Sequence, residues 1–127
     1  MSEVVLDASA VLALINEEPG GETVEALLDD AIISAVNWSE VIAVLTDAGF
    51  AIERAGARIA ALDLEVVAFD QAQALAAGAL RSGTRSAGLS FGDRACLGLA
   101  GTRAAPVITA DPRWASLPLD AEVRLIR

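Results

Sequence analysis

The chain has 127 residues, 54% of them hydrophobic, and a formal charge of −9 at pH 7, which suits one domain with one core and spare apolar surface for a partner. It contains no histidine and no lysine; all nine basic residues are arginine, and Cys96 is the single cysteine. These absences exclude Ser-His-Asp and Cys-His catalysis, histidine metal sites, a Walker loop, Schiff-base chemistry and a disulfide framework, leaving carboxylates, hydroxyls, arginines and a bound metal to carry any reaction.

In chain order, Glu3–Leu6 reads as a buried strand. Ser9–Glu17 has the apolar spacing of a helix, ended by Pro19-Gly20-Gly21. Glu22–Asp30 reads as a second helix and Ala31–Ala35 as a short strand. Asn37–Ala48 is predicted helical up to Gly49, and Ile52–Leu62 helical again. Glu65–Phe69 reads as a strand, Asp70–Arg81 as an Ala-rich helix and Ser82–Gly88 as a polar loop. Phe91–Thr102 is predicted helical, with strands at Val107–Thr109 and Val123–Ile126. The strands are continuous apolar runs alternating with helices. That pattern predicts a single α/β domain over residues 1–127, a three-layer α/β/α sandwich around a mainly parallel central sheet. No apolar run approaches the roughly 18 residues of a membrane span. The opening MSEVV lacks the basic start of a signal peptide, so the expected location is the cytoplasm, away from membranes.

In such sheets ligands bind beyond the carboxyl ends of the strands. Four acids fall there: Asp7 after the first strand, Glu40 in NWSE, Asp93 in LSFGDR and Asp111 in VITAD. Taken singly, each has a plainer reading as a helix cap. Asn37-Trp38-Ser39-Glu40 and Ser90-Phe91-Gly92-Asp93 both match capping boxes, and Asp111 precedes a proline. Asp70 also opens a helix after a strand, and is assigned to capping alone. Taken together, four carboxylates at one edge call for a cation. Two of them about 5 Å apart repel by roughly 3 kcal/mol at an effective dielectric near 20. An all-oxygen ligand set favours Mg²⁺ or Mn²⁺, which can activate water against a phosphodiester without a protein nucleophile.

These blocks resemble, nearly along the whole chain, the PIN-domain ribonucleases, and most closely the VapC-type toxins of toxin–antitoxin pairs. VVLDASAVLALINEEPG, VNWSEVIAVL, LSFGDRACLGLA and PVITADPRW are similar to the family's four acidic blocks, in the family's order. The resemblance implies an α/β/α fold and Mg²⁺- or Mn²⁺-dependent endoribonuclease activity. Asp7, Glu40, Asp93 and Asp111 would hold the metal and the attacking water, with Ser9 and Thr109 supporting the carboxylates. A homodimer and a cognate VapB-like antitoxin are implied as partners, with RNA as substrate.

Arg81 and Arg85, in the polar loop, are the leading candidates for contact with the RNA backbone. Arg94 and Arg113, beside acids, read either as phosphate contacts or as ion pairs. Trp38 is expected to pack; Trp114 reads equally as packing or as a base-stacking surface. Cys96 is expected on an apolar helix face. The acidic balance disfavours general affinity for RNA, so recognition would be local and shape-based, and a basic antitoxin tail would suit the surface. Two rivals stand beside the nuclease: a PIN-like protein-binding module with negligible catalysis, and an aspartyl-phosphate enzyme using Asp7, disfavoured by the missing lysine.

Overall fold

Five short apolar runs form five strands: β1 (Val4–Leu6), β2 (Ala31–Ser34), β3 (Glu65–Val67), β4 (Val107–Thr109) and β5 (Val123–Leu125). They pair in the order β3-β2-β1-β4-β5, and every pairing is parallel. This computed structural model describes residues 2–127. The helices are α1 (Ala8–Ile15), α2 (Gly21–Glu25), α3 (Ala35–Asp47), α4 (Ile52–Ala60), α5 (Gln71–Thr84) and α6 (Phe91–Arg103).

Alternation along the strands decides the layers, because successive strand side chains point to opposite faces. Val4, Leu6, Ala31 and Ile33 join one core with Val11, Val24, Val41, Leu45 and Ile59 of α1–α4. Val5, Ile32 and Val107 join another with Leu97, Leu99 and Ala100 of α6 and with Leu80 of α5. The central strands are therefore buried on both sides, which explains their unbroken apolar sequence. The result is the three-layer α/β/α sandwich, with a wholly parallel sheet.

Three segments depart from the sequence expectation. The helix expected over Glu22–Asp30 stops at Glu25, and Leu28–Asp30 forms a 3₁₀ turn leading straight into β2. The loop expected at Ser82–Gly88 is helical to Thr84, then 3₁₀ over Arg85–Ala87, ending at Gly88 with φ +67°. Packing of α5 on α6 overrides the weak propensity there; buried Thr84 donates its hydroxyl to the Leu80 carbonyl at 2.6 Å. The third departure is the start of α3. Ser34, the last residue of β2, caps it by accepting the Val36 amide at 3.2 Å. Helix follows strand with no loop between, so Asn37 lies inside α3 and begins no capping box.

The chain leaves β1 toward β2 and β3, then crosses to β4 and β5 on the other side. The carboxyl ends of β1 and β4 are thus the switch point, where a crevice opens in a parallel sheet. Asp7 follows β1 and Asp111 follows β4.

Candidate active site at the carboxyl edge of the sheet

Asp7 is 6% exposed and surrounded by neutral donors only. Its Oδ1 accepts the Ala10 amide at 2.9 Å, capping α1, and the Ser9 hydroxyl at 2.7 Å. Its Oδ2 accepts the Thr109 hydroxyl at 2.6 Å. Each hydroxyl is itself oriented by the turn after β4: Ser9 Oγ accepts the Ala110 amide at 2.9 Å, and Thr109 Oγ1 accepts the Asp111 amide at 3.0 Å. Both protons are thereby aimed at the carboxylate. Burial nevertheless raises the Asp7 pKa above its ordinary value; the bonds from Thr109, Ser9 and Ala10 oppose the rise, and the charge of Asp93 adds to it. Capping and function are not alternatives here, because Asp7 caps α1 and remains an unpaired buried carboxylate.

Glu40 is placed by a clip that the sequence did not reveal. Asn37, 1% exposed, donates through Nδ2 to Glu40 Oε1 at 2.7 Å and to the Gly92 carbonyl at 3.0 Å. The two residues are one helical turn apart on α3 and so share a face. The clip ties α3 to the first turn of α6. A side chain at Gly92 would collide with the Glu40 carboxylate, so only glycine admits that group there. An asparagine three residues before the acid, and a glycine just before Asp93, are the signals that a reader of the sequence could use.

Asp93 sits in the first turn of α6 in a complete capping box: its Oδ2 accepts the Ser90 amide at 3.0 Å, and Ser90 Oγ accepts the Asp93 amide at 3.1 Å. Beneath the site, the buried Cys96 thiol is pushed well up, by burial first and then by Asp7, Asp93 and Glu40 in turn. The charges of all three acids are therefore felt at one buried thiol. Asp111 belongs to a different arrangement. Arg113 grips it with Nη2 at 2.7 Å from Oδ2 and Nε at 3.0 Å from Oδ1. That fork lowers the Asp111 pKa. Burial thus raises the Asp7 pKa, whereas the arginine fork lowers that of Asp111. Instead of four equivalent acids, the edge carries three and one.

The PIN domain family matches residues 4–119 of this chain. The chain belongs to the PIN-domain family. Its backbone superposes on a chain of DNA-bound VapBC from Salmonella typhimurium with a TM-score of 0.78 at 22% identity, covering 100% of each chain. A chain of VapBC2 from Rickettsia felis, bound to a promoter DNA fragment, matches at 0.76 and 18%, covering 96% of this chain and 97% of that one. A chain of VapBC-5 from Mycobacterium tuberculosis matches at 0.65 and 27%, covering 100% and 99%. No curated protein sequence matches the chain.

The acids of this PIN domain fit a hard divalent cation by their chemistry. All donors are oxygen, Asp7 has no positive side chain bonded to it, and Gly92 leaves room for the Glu40 carboxylate. Among the described residues, no three acidic or cysteine side chains lie close enough to enclose an ion by themselves. Mg²⁺, which commonly binds through one or two carboxylates and keeps several waters, suits so open a set.

The remaining candidates separate clearly. Arg94 points Nη1 at the Ala77 carbonyl, 3.3 Å away, and lies 5.9 Å over the Phe91 ring, so it is a strut between α5 and α6. Arg113 is tied to Asp111. Ion pairs among the described residues use Arg103, Arg113, Arg124 and Arg127, leaving Arg81 and Arg85 exposed without one. α5 runs antiparallel to α6, with Gln73 reaching Thr102 and Ala77 meeting Arg94. Arg81 and Arg85 therefore lie toward the Asp93 end of α6. Trp114 is 1% exposed in the second core, which removes it as a base-stacking surface, and Trp38 packs against the first.

Proposed function

We propose that this PIN domain is a Mg²⁺- or Mn²⁺-dependent endoribonuclease toxin of the VapC type, restrained by a VapB-like antitoxin. The observation that carries this reading is Asp7: a carboxylate buried at the switch point of a PIN domain and bonded only to neutral donors. A structural acid so deeply buried is ordinarily paired with a cation from its own chain.

When bound, a divalent cation lowers the pKa of a coordinated water and offsets charge on a phosphodiester. Asp7, Glu40 and Asp93 are the residues that would hold it, with Asp111 as the fourth acid. Ser9 and Thr109 would fix the Asp7 carboxylate in place, as supporting hydrogen bonds do for metal-binding carboxylates. Asn37 does the same for Glu40. Arg81 and Arg85 supply positive charge for the RNA backbone on an otherwise acidic surface. On this reading the protein works in the cytoplasm as a homodimer. Val44 and Ile52, exposed on α3 and α4, offer apolar surface to a protein partner. The VapBC names of the matched structures support an antitoxin as one such partner.

The rival reading, a binding module without catalysis, draws on one observation: no three acids are close enough to enclose an ion unaided. Incubation of wild type and Asp7→Asn with labelled structured RNA and Mn²⁺ separates the two. The nuclease cleaves as wild type and loses cleavage in the variant and in chelator. Equal inertness of both proteins would leave only the binding module.

A further inference from the structure

The inference concerns Asp111 and rests on the metal site proposed above. Both oxygens of this carboxylate are already taken. Arg113 donates Nη2 to Oδ2 at 2.7 Å and Nε to Oδ1 at 3.0 Å, and its own backbone amide also donates to Oδ1 at 3.0 Å. The two-point fork is the strong form of a carboxylate–guanidinium pair. It is also preorganised. Pro112 opens a 3₁₀ turn capped by Asp111, and Trp114, 1% exposed, anchors that turn in the core. Residue 113 is thus presented to residue 111 by a fixed backbone, which limits the entropy usually lost in surface ion pairs. The Asp111 side chain is 22% exposed and the Arg113 side chain 73%, so the arginine has open solvent to move into.

We propose that Arg113 is a resident counter-ion, occupying the carboxylate that a divalent cation would otherwise use, so that Asp111 joins the metal site only when Arg113 swings away. Asp7, Glu40 and Asp93 have no such competitor: Asp7 is bonded to hydroxyls and an amide, Glu40 to Asn37, and Asp93 to Ser90. A cation on that side displaces no bonded arginine, although the Arg113 charge also reaches Asp93. Loading at Asp111 is an exchange of one cation for another.

Calorimetric titration with Mn²⁺ alone tests this on four full-length proteins: wild type, Arg113→Ala, Asp111→Asn and the double variant. Arg113 is exposed, so Arg113→Ala should unfold like wild type, which circular dichroism checks. Removing the competitor should tighten Mn²⁺ binding by about two- to fivefold, the range expected for an exposed pair. With Asp111→Asn present, the same Arg113→Ala change should give no gain, because the two residues act as one unit. Equal affinity in wild type and Arg113→Ala would overturn the proposal. So would a gain that survives loss of Asp111, since it would then reflect net charge alone. If neither wild type nor Arg113→Ala takes up Mn²⁺, the metal site and the counter-ion fall together. Binding by wild type without coupling between residues 111 and 113 removes only the counter-ion.

Discussion

The two ends of the sheet are both acidic, yet the acids are held in opposite ways. At the amino end a cleft is lined by Glu3, Asp29, Asp30, Asp63 and Glu65. The side chains of Glu3 and Glu65 are 40% and 61% exposed, and Arg103 binds them at 2.7 and 3.6 Å. At the carboxyl end Asp7 is buried and answered only by hydroxyls and an amide, and Glu40 by an asparagine. Acid count does not distinguish the ends. The distinguishing feature is burial without a cation: at the amino end Arg103 bridges two acids that face solvent, whereas at the carboxyl end Asp7 is buried and bonded only to neutral donors. Asp111, forked by Arg113, is the carboxyl-end acid held in the amino-end manner.

The largest expected effect comes from Asp7→Asn. RNA cleavage should fall by two orders of magnitude or more, about the cost of deleting an electrostatic group in a preorganised site. Glu3→Gln should leave cleavage unchanged, and an equal loss from both would erase the contrast. The same Asp7→Asn change should raise the melting temperature at neutral pH. A carboxyl whose folded pKa lies above its unfolded value stabilises the fold only below that unfolded value, and the contribution is lost as pH rises through the folded pKa. The advantage of the variant should therefore shrink as pH falls toward the ordinary carboxylate range, which thermal unfolding across pH reads directly.

Next in size is the clip at Glu40. Gly92→Ala places a methyl group against the carboxylate, the end of a flexible side chain, so Glu40 should swing aside at little cost in stability while Mn²⁺ affinity falls. Asn37→Ala removes the support without crowding, and loss of such outer contacts typically costs about 10–100-fold in metal affinity or activity. If Asn37→Ala alters stability and leaves Mn²⁺ affinity intact, the clip is structural only. Thr109→Val should give a similar but smaller loss, since Ser9 and Ala10 still bind Asp7; the Asp7 pKa should also move further up in carboxyl NMR. The smallest effect is expected at the amino end, where Arg103→Ala should cost less than about 1 kcal/mol in chemical denaturation, and less still in high salt.

Much of this was legible in the sequence because parallel sheets place strand ends and following helix starts on one edge. Asp7, Glu40, Asp93 and Asp111 could be listed from that rule alone, and Asp70 caps α5 as expected, accepting the Gln73 amide at 3.0 Å. What the sequence concealed were contacts across long separations. Asn37 matched a capping box, but Ser34 starts the helix earlier, and the asparagine instead reaches Gly92, 55 positions away. Trp114 gave no sign of its burial, because the core it fills is assembled from β1, β2, β4 and α6. The Asp111–Arg113 fork was within reach at two residues' separation, yet its geometry depends on the turn fixed by Pro112 and Trp114.

Mn²⁺ titration by calorimetry of wild type, Asp7→Asn and Glu3→Gln tests the central contrast most directly. Binding should persist in wild type and Glu3→Gln and disappear in Asp7→Asn. Binding that survives in Asp7→Asn but fails in Glu3→Gln would place the cation at the wrong end of the sheet and contradict the account.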